Sequence, residues 1–347
     1  MRFLYVSRLF NRVGHAVLKH LVEKTAFHPD SILLAPPGRY QFSDDPVTIS
    51  RERRKYLQEI SFYHADNIKF FGSCSTLARE HGIPMLDLRS LKDEQAFQRL
   101  KCGQFDFILI GGGWPELIPK RIIGLPKLGI LNMHPSLLPE FRGTDVHRWQ
   151  VLEGIRASGI TIHYIDESFD TGDILAQKKV ALSETDSPQR LADKVAQCAG
   201  PVVHALLRKL RDTFPNSLTG ITQNSKNTGV QTYGKWKWRD IPFLQLDFSR
   251  SARDCYRMVL ACTQESYQYN GPWFFLKDRP FIVRAASYTT DLHQLEAGTV
   301  NHQKPGSLQI ACKTGFLVPQ KIQPTSMEEL RNGHHEEPAM DIEDFRL

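Results

Sequence analysis

Apolar residues fall in short runs that alternate between strand and helix spacing through the first two thirds of the chain, and the pattern changes after residue 230. RFLYVS at 2–7 and SILLA at 31–35 are apolar runs of buried-strand length, the second stopped by Pro36-Pro37-Gly38. Between them, Ala16, Val17, Leu18, Leu21 and Val22 lie at helical spacing and predict a helix over 14–24. Further helices are expected at 75–81, at 90–101 with Ser90 as N-cap, at 145–153, and over a long amphipathic stretch at 187–211. FDFILI at 105–110, GILNM at 129–133, and the runs 160–166 and 174–180 supply strands. This alternation predicts an α/β domain over residues 1–211, with a Rossmann-like, mostly parallel sheet flanked by helices.

Residues 212–230 are polar and rich in Asn, Ser, Thr and Gly, which reads as a linker. After it come short β-like runs (WFFL, FIVRAA, SLQIAC) separated by Gly or Pro, with one helix at 251–263. They predict a small β-rich, barrel-like domain over 231–325, followed by an acidic tail at 326–347.

Composition narrows the class. The chain has 347 residues, 41% hydrophobic and 24% charged, which is the balance of an ordinary globular protein of two domains. No stretch approaches the ~20 apolar residues of a membrane span, and the N-terminal apolar run is too short for a secretory signal, so a cytoplasmic protein is expected. Six cysteines are scattered with no CxxC pair, which argues against a disulfide framework or a metal site. The net charge of +6 is uneven: residues 231–325 hold twelve basic against seven acidic residues, and 326–347 hold two against seven. A mildly basic body suits an anionic ligand but is no nucleic-acid signature by itself.

The most informative stretch is NMHPSLLPEFRG, residues 132–143, directly after a predicted parallel strand. Ligands in such sheets bind at the carboxyl ends of strands. Asn132 and His134 are two apart and project to the same side if the strand continues through them. Downstream, IDESFDTGDI places Asp166, Asp170 and Asp173 in a loop between two strands. An amide, an imidazole and a carboxylate suit carbonyl chemistry: the amide donates to a developing oxyanion, and the carboxylate orients the imidazole and raises its pKa.

These residues carry a resemblance. Asn-x-His-Pro-Ser-Leu-Leu-Pro followed by Arg-Gly, and then an aspartate in a Leu-Asp-x-Gly-like loop, is the pattern of the folate-dependent N-formyltransferases. Here Asn132, His134 and, thirty-eight residues beyond the asparagine, Asp170 match it, with Phe169 where Leu is usual. The likeness is strong over about 70–211, looser over 231–325 and poor before 70. It implies transfer of a formyl group from 10-formyltetrahydrofolate to a primary amine without a metal. It also implies that Asn132 and His134 stabilise the oxyanion while Asp170 orients the imidazole. The folate pocket is then expected at Gly113, Trp114, Leu117, Ile118 and Pro119, faced by Ile165 and Asp166, with Arg142 and His147 as acceptor contacts.

Other residues have plainer readings. GGGWPE lacks the GxGxxG pattern and the phosphate-loop lysine, so a turn lining a pocket fits it better. His163 is expected on the sheet face away from the site. Trp236 and Trp238 alternate with lysines and suit base stacking or a half-buried strand equally. The basic cluster Arg51, Arg53, Arg54 and Lys55 is balanced by acids to +1 over 36–60 and reads as a solvated face. GITIHYIDESFDTGDI is similar to the stretch in nucleotide-linked aminosugar formyltransferases, and PPGRYQFSDDP carries two aspartates where the tRNA branch has a basic loop. A sugar nucleotide is therefore the expected acceptor, and methionyl-tRNA the alternative. A formyltetrahydrofolate hydrolase and a non-catalytic folate-binding or RNA-binding protein are further readings.

Overall fold

A computed structural model describes residues 1–8, 11–35, 74–86, 88, 90–112, 114, 116–223, 232–237, 240–263, 270–301, 308–332, 335 and 337–342. Two compact units emerge. The first is built on a seven-stranded sheet of β1 (Phe3–Arg8), β2 (Ser31–Ala35), β3 (Met85–Leu86), β4 (Phe107–Ile110), β5 (Ile130–His134), β7 (Ala157–Tyr164) and β8 (Ile174–Ala181). A short pair, β6 (Arg142–Gly143) and β9 (Thr232–Tyr233), lies outside it. The sheet order is β3-β2-β1-β4-β5-β7-β8. The first five strands run parallel, β7 runs antiparallel to them, and β8, antiparallel to β7, runs with the first five again.

Strand period explains the two-sided burial. Leu4, Val6, Ile108 and Ile110 join Leu33, Leu100, Ile122 and Ile130 in one core layer. Phe3 and Phe107, each one residue before a member of that layer, stack at 4.7 Å on the opposite side, as period two requires. Helices Arg12–Lys24 and Pro188–Thr213 pack together, and Gly200 provides the space: a Cβ there would meet the His20 side chain at 2.5 Å.

The second unit holds an antiparallel sheet, β10 (Trp273–Leu276), β11 (Arg279–Thr289), β12 (Val300–Asn301), β13 (Gln309–Ala311), β14 (Phe316–Pro324) and β15 (Met340–Asp341). Its order is β10-β11-β14-β13-β12, with β15 paired to β14. Helix Ala252–Ala261 is capped by Ser251 and buries Cys255 and Val259 in its core. This unit also takes in 147–156 and 183–189, which the sequence reading placed in the first domain. The reason is apolar: Val151 of helix Val146–Glu153 is buried with Trp236, Leu244, Ala261 and Trp273, and Trp149 packs on the Trp236 and Phe243 rings. Trp236 is thus a core residue and is not free to stack on bases.

One helix start moves. Asp93, and not Ser90, caps helix Glu94–Gly103 by accepting from the Ala96 N–H, while the Ser90 hydroxyl donates to Glu116 and accepts from the Lys92 N–H in the turn before it. Among the described residues, no helix is long and apolar enough to cross a membrane. Trp238 and the cluster at 51–55 lie outside the described residues.

Candidate active site

The end of β5 positions the site. Period two sends Asn132 and His134 to one face, and antiparallel β7 sets His163 directly opposite Asn132 and Thr161 opposite His134. The Thr161 hydroxyl donates to the Ser136 carbonyl (2.7 Å) and accepts from the Leu138 N–H (3.1 Å). Gln177 holds the Leu138 carbonyl at 2.7 Å. So fastened, the turn after β5 delivers Phe141 in the left-handed region (φ 55°), with its carbonyl 2.6 Å from His134 Nε2.

Asp170 enters from the loop between β7 and β8, also at positive φ (54°), a conformation aspartate tolerates better than most side chains. Its Oδ2 accepts from the Gly143 N–H (2.9 Å) and lies 3.4 Å from His134 Nδ1. Its Oδ1 accepts from Asn132 Nδ2 (3.3 Å) and lies 3.4 Å from His163 Nε2. Asn132 Nδ2 is also 3.2 Å from His163 Nε2, and His163 Nδ1 is 2.7 Å from the Tyr164 carbonyl. The structure therefore gathers Asn132, His134 and Asp170 and adds a fourth member.

His163 is a correction to the sequence reading. It faces into the cluster and is 1% exposed. Residues directly opposite on paired strands share a face, and the register of β7 on β5 sets His163 opposite Asn132.

The electrostatics follow from burial. A carbonyl only accepts, so His134 Nε2 carries a proton toward Phe141, and Nδ1 faces the carboxylate. Desolvation holds the His134 imidazole below its usual range, only partly offset by Asp170. Burial also opposes the Asp170 charge, yet His134, His163 and the Gly143 N–H together hold that carboxyl well below the ordinary range. At neutral pH this is an ionised carboxylate beside a neutral imidazole, and a proton taken up at Nδ1 is stabilised at once.

Both shifts act in the same direction on stability. The unfolded chain binds protons more readily at each site, so their contribution is present above an unfolded histidine pKa of about 6.5 and is lost progressively as pH falls below it and then below about 4. Melting temperature measured from pH 7 to 3 is therefore expected to fall less steeply for the double variant His134→Gln/Asp170→Asn, which removes both titrating groups, than for the wild type. Parallel curves would mean that the pair titrates at its unfolded values.

The other expected positions are spread more widely. Trp114 and Ile165 pack against the core layer that contains Ile118. The Trp114 indole N–H is buried without a hydrogen-bond partner among the described residues. Leu117 is exposed, and Pro119 opens helix Lys120–Ile123. Asp166 shapes its own loop, accepting from the Ser168 N–H and the Thr171 hydroxyl. Arg142 differs from the expectation of an acceptor contact: it is buried, and its guanidinium donates to Gln223 Oε1 at 2.7 and 3.3 Å. His147 belongs to the second unit, and Gly113 lies outside the described residues.

Residues 44–207 match the formyl transferase family, and residues 243–335 match the formyl transferase C-terminal domain. The chain belongs to the formyltransferase family. Formyltransferase relatives extend over most of its length. It is 27% identical to the methionyl-tRNA formyltransferase of Lachnospira eligens over 73% of this chain and 78% of the relative. With that of Clostridium perfringens (strain SM101 / Type A) it shares 29% identity over 70% of this chain and 72% of the relative. In structure it is similar to an N-formyltransferase from Helicobacter canadensis in complex with folinic acid and dTDP-3-aminofucose. That likeness has a TM-score of 0.61 at 14% identity and covers 94% of this chain and 100% of the other. HypX from Aquifex aeolicus in complex with tetrahydrofolic acid shares the fold at a TM-score of 0.55 and 14% identity, over 99% of this chain and 46% of HypX. The chain is a formyltransferase enzyme.

Proposed function

We propose that this formyltransferase moves the formyl group of 10-formyltetrahydrofolate to a primary amine, with Asn132, His134 and Asp170 as catalytic residues. The closed constellation at the end of β5 is the observation that supports this most. The amine nitrogen attacks the formyl carbon, an oxyanion forms, and the bond to folate N10 breaks as N10 leaves. The proton shed by the amine passes through water to the His134–Asp170 pair and on to N10. Hydrogen bonds inside the cluster are long, 3.2–3.4 Å against about 2.9 Å for a settled N–H···O bond. Catalytic bonds commonly tighten only when substrate is bound, so Asn132 can exchange one N–H partner for the oxyanion at little cost.

The expected folate wall suits a pterin in chemistry. Trp114, Ile118 and Ile165 supply apolar surface, and the unpartnered Trp114 N–H supplies a donor for a heterocycle edge.

For the acceptor we favour methionyl-tRNA. Relatives of that name align over about three quarters of this chain at 27–29% identity, whereas the sugar-nucleotide enzymes of like fold share 14–15%. The aspartate-bearing loop that favoured a sugar nucleotide lies outside the described residues. A panel of amine acceptors with 10-formyltetrahydrofolate, following released tetrahydrofolate, tests the reaction. Formate release without any amine would select a hydrolase. Binding of charged initiator tRNA is expected to weaken by about 10³-fold or more between about 50 and 200 mM salt if six or more phosphates are contacted. A shallow salt response, with turnover on a nucleotide-linked aminosugar, would return the choice to that second reading.

A further inference from the structure

Asp170 stands at positive φ with its carboxylate between Gly143 and His134, and beyond these side-chain contacts its backbone is gripped separately. The restraint comes from residue 223. Gln223 is buried, and its amide nitrogen donates to the carbonyls of Asp170 (3.0 Å) and Gly172 (2.7 Å), stapling the backbone on either side of Thr171. Its oxygen takes both Arg142 contacts described above. Arg142 in turn precedes Gly143, whose N–H holds the Asp170 carboxylate. The bonds close a ring that grips Asp170 from its main chain at one end and its side chain at the other.

The chain is built to deliver Gln223 there. Ile221 pairs with Ile174 through two 2.8 Å backbone bonds, and the Tyr164 hydroxyl is fastened to both the N–H and the carbonyl of Leu218. Gly220 and Gly172 permit the approach, since a Cβ would lie 2.6 Å from the Asp173 side chain and 1.9 Å from the Tyr164 carbonyl, respectively. A buried amide with both hydrogens and its oxygen committed is a locked group, because a buried polar atom left without its bond has no water to replace it.

We propose that Gln223, oriented by Arg142, is a positioning residue that sets the Asp170 loop for catalysis. This rests on the formyl-transfer reading for its kinetic consequence but not for its structural one. The donors, and not the packing, carry the role.

Two variants separate these. Gln223→Glu keeps an oxygen for Arg142 and removes both donors. It is expected to fold and to lower kcat by up to about 10²-fold, the scale of a 1 Å misplacement, with KM for both substrates within about threefold of wild type. Gln223→Asn stays neutral but is too short to bridge both carbonyls. In it the His134 ring, faced by Asp170, His163 and the Phe141 carbonyl, is expected to titrate at lower pH by NMR, because the Asp170 field that raises its pKa is weakened. A His134 midpoint equal to wild type overturns the proposal whatever kcat does, and so does a loss carried wholly by KM. A wild-type protein that turns over no formyl donor sinks the formyl-transfer reading and leaves the titration to decide this one.

Discussion

Asp170→Asn is expected to lower turnover by about 10²–10³-fold while the protein stays folded. The amide keeps the size of the carboxylate and still accepts from the Gly143 N–H, so the loop has no reason to collapse. What is lost is the negative charge 3.4 Å from His134 Nδ1, the charge that stabilises a proton there during transfer. Desolvation already holds the imidazole below its usual range, and without Asp170 only the hydrogen bond to the Phe141 carbonyl still offsets it. Single-turnover kinetics of the purified variant, with its melting curve as a control, give the answer. A rate within about threefold of wild type would remove Asp170 from the chemistry.

Gly143→Ala is expected to be the most damaging single methyl in the first unit. Gly143 sits at φ +106°, and a Cβ there would lie 2.0 Å from the Tyr233 carbonyl oxygen. Strain at such a φ costs about 1–3 kcal/mol and overpacking a similar amount, so a loss of roughly 2–6 kcal/mol is expected by denaturant titration. The backbone cannot yield cheaply, because Gly143 pairs with Tyr233 between β6 and β9 and its own N–H holds Asp170. Stability within about 0.5 kcal/mol of wild type would mean that β9 detaches from β6 freely.

Much of this site was legible because one string carries it. Asn132 and His134 project together from a strand end whatever follows, and the proline-rich turn marks where the chain leaves the sheet. The alternation of elements likewise announces the parallel sheet. His163 was misplaced because alternation along β7 says which residues share a face, but only the register against β5, Asn132 opposite His163, says which face that is. Gln223 was hidden by composition: Asn, Ser, Thr and Gly around it read as linker, while the ordering of 217–223 comes from long-range bonds to Tyr164, Ile174 and Arg142. Arg142 looked like a ligand contact because charge is read from the sequence and burial is not. Two-residue strands such as β3, β6 and β9 have no periodicity to detect.

The segment 147–156, which buries its apolar face among residues far downstream, has a consequence for how the protein is made. At a synthesis rate of about 5–20 residues per second, Trp149 and Val151 leave the ribosome some 6–24 s before Trp273 exists to cover them. For that interval the nascent chain carries an aromatic helix whose downstream packing partners do not yet exist. No clean cut separates the two units either, because a gene fragment ending at Tyr233 would strand that helix permanently. The order of the segments therefore ties completion of that cluster to synthesis of the chain more than a hundred residues downstream.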